Sequence, residues 1–360
     1  MAQCPGLVAR RPVSPRRRLL TDALLIGAGI AGWLFYAVIS TAVIVVEPQR
    51  DNPQLAWQYD WHVYVAGARD LLERDLYRTP LTLDGHPMPV DVFNQTPLTA
   101  LWALPLAPFD VVTGGHVWLG LMVLSIGAGM AFAAASLRWR MPVITAGIPL
   151  LAYTLSPWFL PDVLLGNING LMFLLVAAYL WLHVRGFARA GGLLLGVAIA
   201  TKLWPLAFLP LLARERRWRE MTWAGGFAVA QGVLFLVWLG PDVLPSMAPA
   251  MTSPVPIEPG VPVLGWSLLR ETFGLPGWLG AAAGLLLLAV PARGHIGFGI
   301  AILAGLTLFI ANLWQHYLPV VTLAIGLVVG PLLASVRAAF IPSAKIGHDP
   351  PQGRWPIERE

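Results

Sequence analysis

Ionisable and amide side chains inside or beside long apolar runs are where this 360-residue chain could do chemistry. Burying a charge in a bilayer costs at least a few kcal/mol, so each such residue needs a reason. Asp60, in Tyr59-Asp60-Trp61-His62-Val63-Tyr64, stands at the start of a helical pattern with Tyr64 on the same face. It could simply cap the helix by accepting backbone N–H bonds, or its carboxylate could act as general base on an acceptor hydroxyl. Lys202, in Ile199-Ala200-Thr201-Lys202-Leu203-Trp204-Pro205, falls midway through an apolar run; the other lysine is Lys345, near the C-terminus. A snorkelling lysine is one reading, and a cation reaching an anionic headgroup or phosphate is the other. Asn167 and Asn169, in Gly166-Asn167-Ile168-Asn169-Gly170, suit a tight turn and would equally suit sugar hydroxyls. His316, in Trp314-Gln315-His316-Tyr317, fits an interfacial aromatic belt, or a neutral ring that orients a carboxylate or contacts phosphate. Ser267 and Arg270 lie in a Pro-rich stretch where topology disfavours a cation, and surface and functional readings are equally open for them.

The elements that must hold these residues are membrane spans. Hydrophobic residues make up 57% of the chain and charged ones 12%, with mean hydropathy +0.67. Soluble domains carry about 25% charged residues. Apolar runs recur near the ~20 residues needed to cross a bilayer, which excludes a water-soluble enzyme. Arg10, Arg11, Arg16, Arg17 and Arg18 precede the first run, Leu24 to Val46, and place residues 1–21 in the cytoplasm by the positive-inside rule. That run reads as a retained signal anchor, too long for a cleaved signal peptide. The transmembrane domain is expected over 22–336 and a disordered cytoplasmic tail over 337–360.

The first outer loop, 47–93, carries Trp61, Val65, Ala68 and Leu72 as an apolar stripe, which predicts an amphipathic helix on the membrane surface. A second outer loop is expected over 241–276. Further apolar segments begin at 96–108 and end at 317–336. Arg138, Arg140, the Arg214 to Arg219 cluster and Arg293 mark cytoplasmic turns. Simple alternation cannot put both Arg138 and Arg214 inside. Segment 96–108 is therefore expected to stop short of crossing, and 191–212 to be two half-helices broken near Lys202 and Pro205. The fold class is thus an all-α polytopic integral membrane protein with nine to eleven spans.

The net charge of +5 sits at membrane-flanking positions and carries topology, not affinity for nucleic acid. Cys4 is the only cysteine, so no disulfide or thiolate-metal chemistry is expected. There is no Walker A sequence, no H-E-x-x-H and no D-x-D. These omissions argue against a metal, a cofactor or a cytosolic nucleotide donor.

In their order, Asp60 with Tyr64, Gly166 with Asn169, Lys202 with Pro205 before Arg216-Arg217-Trp218-Arg219, Ser267 with Arg270, and Trp314 with His316 resemble glycosyltransferase family 87. These are polyprenol-phosphate-mannose-dependent mannosyltransferases with the GT-C fold, and the likeness runs from about 55 to 320. Asn167 stands where the family has Gln, Arg74 where it has Gly, Gln95-Thr96-Pro97 where it has Tyr-Pro-Pro, and Gly265 where it has Asn. The resemblance implies a multi-pass cell-membrane enzyme with its site facing outside. It would move a hexose, mannose in the family, from a polyprenyl-phosphate donor to a glycolipid, lipoglycan or other glycan acceptor, with inversion. Asp60 would then be the base. Lys202, Arg270 and His316 would surround the donor phosphate, and Tyr64, Asn167, Asn169 and Ser267 would contact sugar or acceptor. Two other classes share the apolar composition: a carrier or flippase of lipid-linked saccharide, open to both membrane sides, and a noncatalytic partner in envelope assembly, with no polar convergence.

Overall fold

A computed structural model describes residues 59–78, 80–83, 86–87, 93–137, 166–252, 274, 276, 278–310, 317 and 319–329. The expected signal anchor, Arg138, Arg140, Ser267, Arg270, Trp314, His316 and the tail lie outside the described residues.

The described chain is mostly helical. Helix α1 (Tyr59–Glu73) is followed by a two-stranded antiparallel hairpin, β1 (Thr82–Leu83) and β2 (His86–Pro87), with Leu83 opposite His86. Next come α2 (Pro97–Ala103), α3 (Val111–Leu137), α4 (Asn169–Val184), α5 (Ala188–Thr201), α6 (Phe208–Arg214) and α7 (Trp218–Leu239). Helices α8 (Leu244–Thr252), α9 (Trp278–Ala289), α10 (Gly294–Phe309) and α11 (Pro319–Val329) complete the series. Among the described residues, α3 and α7 are long and apolar enough to cross a membrane. Helix α7 turns Val229, Val233, Leu234 and Val237 outward, as a helix bathed in hydrocarbon would.

Two expected interruptions are present. The segment beginning at Pro97 is helical only to Leu106, half a bilayer's worth of residues. The run 191–212 breaks where Lys202 adopts an extended conformation (φ −144°, ψ 139°) after α5, and Trp204–Ala207 then form a 3₁₀ turn leading into α6. Pro205 removes a backbone donor at that point, which favours ending the α-helix there.

One expectation changes. Helix α1 does not offer a single apolar stripe to a flat surface. Trp61, Val63, Tyr64, Val65, Ala66 and Ala68 are all buried, covering more than one side of the helix, while Leu72 of the expected stripe is 58% exposed. The helix is wrapped by α2, the start of α3 and the side chains of Leu76, Tyr77, Leu81, Leu83 and Phe93, which form one hydrophobic cluster with it. It leaves this cluster through Arg74, whose φ of 65° is the left-handed conformation that costs a side-chain-bearing residue about 1 kcal/mol. The Arg74 guanidinium lies 4.3 Å above the Trp238 ring, and Trp238 Nε1 donates to the Leu71 carbonyl at 2.9 Å, so α1 is tied to the end of α7.

A second cluster is built from α3, α4, α5, α6, α7, α10 and α11. Its helices approach closely because glycines lie at their crossings. A Cβ on Gly192 would sit 2.5 Å from the Glu220 carbonyl of α7, and one on Gly305 of α10 would sit 2.2 Å from the Trp204 carbonyl. Small residues at such crossings let backbones meet where apolar side chains gain nothing by leaving lipid.

At the end of the bundle remote from Asp60, a buried ionic knot ties four elements. His183 Nδ1 is 3.0 Å from Glu220 Oε1 and His183 Nε2 is 3.4 Å from Glu215 Oε2. Arg217 lies 3.6 Å from the other Glu220 oxygen and donates to the His183 carbonyl at 2.8 Å. Glu215 also accepts from the Gly294 N–H that begins α10, at 2.7 Å. Removing one partner of such a set strands the others without water. Glu220→Ala is expected to cost about 3–5 kcal/mol, seen as a lowered thermal midpoint of the detergent-solubilised chain; an unchanged midpoint would show that the knot does not hold the helices together.

Candidate active site

Four separate elements bring their polar residues to one place. Helix α1 contributes Asp60 from its first turn and Tyr64 one turn later. The turn before α4 contributes Asn167 and, as the first residue of that helix, Asn169. The break after α5 contributes Lys202, and Tyr317 stands just before α11.

The turn at Gly166 is set locally. Gly166 has φ 66°, a left-handed value glycine takes without steric penalty. Its carbonyl accepts from Trp118 Nε1 at 2.6 Å. Trp118 in turn stacks on Trp61, with centroids 5.4 Å apart, and meets the edge of Tyr64. Tyr64 is buried, and its hydroxyl oxygen accepts from the Ile168 N–H at 3.4 Å. The aromatic residues of α1 and α3 thus brace the loop that carries the two asparagines.

Asn167 spans the site. Its Nδ2 donates to Asp60 Oδ2 at 2.7 Å. Its Oδ1 accepts from the Asn169 N–H at 3.0 Å and faces Lys202 Nζ at 3.5 Å. Lys202 Nζ also donates to Asn169 Oδ1 at 2.9 Å and to the Tyr317 hydroxyl at 3.3 Å, and lies 5.2 Å from the centre of the Tyr317 ring. An ammonium only donates, so it dictates the amide orientation of Asn169: Oδ1 toward Lys202 and Nδ2 away from it. Asn169 is 2% exposed, and its Nδ2 has no hydrogen-bond partner among the described residues. A buried amide donor left unpaired costs about 1–3 kcal/mol, and an acceptor oxygen from a bound molecule would remove that cost.

Burial is graded across this constellation. Lys202, Asn169 and Tyr317 are buried, whereas Asp60 keeps partial access to solvent. Desolvation by the surrounding protein raises the Asp60 pKa above the ordinary carboxylate value, against the opposing pull of the Asn167 hydrogen bond and the Lys202 charge. A raised pKa makes the carboxylate a stronger base once ionised.

Of the residues expected from sequence, Asp60, Tyr64, Asn167, Asn169 and Lys202 are brought together; Ser267, Arg270 and His316 lie outside the described residues. Tyr317 and Trp118 were not anticipated in the site. Tyr317 was visible beside His316, and Trp118 is one of several Trp residues in apolar runs with nothing in the sequence to single it out. Among the described residues no group of three or more His, Cys, Asp or Glu side chains could hold a metal ion.

Residues 93–336 match glycosyltransferase family 87, which is most of the chain, and the protein belongs to that family. That family is described as one of glycosyltransferases. A stretch of 118 residues is 29% identical to an alpha-(1->3)-arabinofuranosyltransferase of Corynebacterium glutamicum, covering 31% of this chain and 28% of that one. The chain thus spans under a third of that relative's length. No solved structure matches.

The bridging asparagine yields a pH signature. Because its donated hydrogen bond holds the Asp60 pKa down, Asn167→Leu is expected to raise that pKa further. The acid limb of the rate profile, where activity falls as Asp60 is protonated, would then move to higher pH. A variant with lower activity but an unmoved limb would show that Asn167 does not act on Asp60.

Proposed function

We propose that this protein transfers a sugar from a polyprenyl-phosphate donor to a lipid or glycan acceptor, on the membrane face opposite the Arg214 to Arg219 loop. The observation that carries the reading is the placement of a carboxylate and a cation at opposite ends of one asparagine bridge. It is supported by the family to which the chain belongs.

Transfer with inversion needs a base on one side of the anomeric carbon and charge stabilisation on the other. Asp60 takes the proton of the acceptor hydroxyl as that oxygen attacks C1. The bond from C1 to the phosphate oxygen breaks, and polyprenyl phosphate departs with the electron pair. Lys202 stabilises the negative charge that develops on the leaving phosphate, in surroundings that exclude water and so strengthen the attraction. Arg270 and His316 are assigned to the same phosphate by their place in the sequence order. Asn169 Nδ2 donates to a donor oxygen, while Ser267 contacts sugar or acceptor. Tyr64 and Asn167, whose hydroxyl and amide serve the Gly166 turn and Asp60, act here by holding the site in shape. The apolar outer face of the bundle offers a surface for the polyprenyl tail.

The family resemblance favours mannose as the sugar. The corynebacterial relative, named for arabinofuranosyl transfer, gives a second reading in which the sugar is a pentofuranose. Purified chain offered polyprenyl-phosphate-mannose and polyprenyl-phosphate-arabinofuranose in parallel, with a membrane lipid extract as acceptor source, separates the two. Asp60→Asn is expected to lower turnover with the accepted donor by about 10²–10⁴-fold, with its thermal midpoint retained. Equal turnover by wild type and variant would remove Asp60 as the base.

A further inference from the structure

Lys202 acts from a position just beyond the end of α5, where the helix itself holds only its backbone N–H. The last four carbonyls of a helix lack intrahelical donors, and Thr201 is buried with no exposure. Helix α2, which belongs to the other hydrophobic cluster, supplies the missing donors. Thr96 and Thr99 both donate their hydroxyls to the Thr201 carbonyl, at 2.7 and 2.9 Å. Trp102 Nε1 donates to Thr201 Oγ1 at 3.0 Å, and that hydroxyl donates to the Val197 carbonyl at 2.8 Å. Residues 96, 99 and 102 recur every three positions, so one face of α2 closes on a single residue of α5.

The Thr201 carbonyl belongs to the same peptide unit as the Lys202 N–H, which donates to the Ala198 carbonyl at 3.0 Å. That peptide plane is therefore pinned at both ends, by two hydroxyls on its oxygen and one carbonyl on its hydrogen. Since a peptide unit is rigid, pinning it fixes where the Lys202 Cα sits and limits the directions its side chain can take.

We infer that Thr96 and Thr99 are positioning residues for Lys202: their paired hydroxyls on the Thr201 carbonyl aim the ammonium at the donor phosphate. The inference rests on the role proposed for Lys202 and extends it to a part of the chain whose sequence departs from its family, Gln95-Thr96-Pro97. Neither threonine touches substrate. Their effect reaches the reaction only through the peptide they hold.

The test is a double-mutant cycle on the full chain in detergent, with whichever of the two polyprenyl-phosphate sugars it turns over. The Thr96→Val/Thr99→Val pair keeps side-chain shape and removes both donors. It is expected to raise donor KM about tenfold, the equivalent of roughly one hydrogen bond's worth of orientation, with acceptor KM unchanged. Thr99→Ser, which keeps the hydroxyl, should behave as wild type. Lys202→Met should raise donor KM on its own, and adding the paired valines to it should change donor KM by less than about twofold. If the valines multiply the Lys202→Met effect in full, the threonines act as general packing and the inference fails. The inference also fails if they lower the thermal midpoint while leaving donor KM alone. If Lys202→Met leaves donor KM unchanged, the fault lies in the role given to Lys202, and the clamp loses its purpose with it.

Discussion

The constraint on which the rest depends is that one ammonium, Lys202, is buried inside an apolar bundle. An isolated charge there would cost far more than the marginal stability of a protein, so it must be met by oxygen atoms held in place. Two side-chain amides and a phenol meet it, and they come from two further elements of the chain. Each of those elements is bent to deliver its group. Helix α5 stops early to release Lys202, Gly166 turns left-handed so that two asparagines face inward, and Tyr317 is placed where α11 is about to begin. The same asparagine that faces the cation also holds the carboxylate of α1, so the whole polar set is one connected network spanning both hydrophobic clusters.

Such a network is useful in proportion to how rigid it is. Side chains on an interrupted helix would lose precision unless their backbone were tied, and α2 ties it. The opposite end of the bundle shows a comparable economy. There the His183, Glu215, Glu220 and Arg217 knot joins α4, α6, α7 and α10 through ionic groups that are largely buried. Between these two polar layers the packing is apolar, with glycines at the closest crossings. Polar contacts thus fix geometry at both ends, and the helices between act as struts.

Much of this was legible in the sequence because apolar composition is an unforgiving background. Asp60, Asn167, Asn169 and Lys202 stood out as polar residues that a membrane protein would not place idly, and the elements carrying them could be located from hydropathy and helical spacing. The break at Lys202 followed from positive-inside bookkeeping, which left one helix too many. What the sequence hid was packing. The stripe Trp61, Val65, Ala68 and Leu72 has amphipathic spacing, but spacing does not reveal whether lipid or protein covers it, and α1 is enclosed by residues up to 180 positions distant, such as Leu239 and Val243. Asn167 looked like a sugar ligand because its amide suits hydroxyls; only the fold shows one of its N–H donors turned onto Asp60. The threonines of α2 carried no signal, since Thr beside Pro ordinarily opens a helix, and their target lies about a hundred residues away. Arg74 takes a left-handed φ that its own residue type gave no reason to expect.

The central claim, that a carboxylate and an ammonium flank one substrate bond, is tested most directly by a cryo-electron-microscopy structure with a non-hydrolysable phosphonate analogue of the polyprenyl-phosphate sugar. The account predicts the phosphonate oxygens within hydrogen-bonding distance of Lys202 Nζ, Asn169 Nδ2 turned onto the ligand, and the anomeric carbon between them and Asp60. A phosphonate seated elsewhere, with Lys202 still closed on Asn169 and Tyr317 and Asp60 facing away from the sugar, would contradict it.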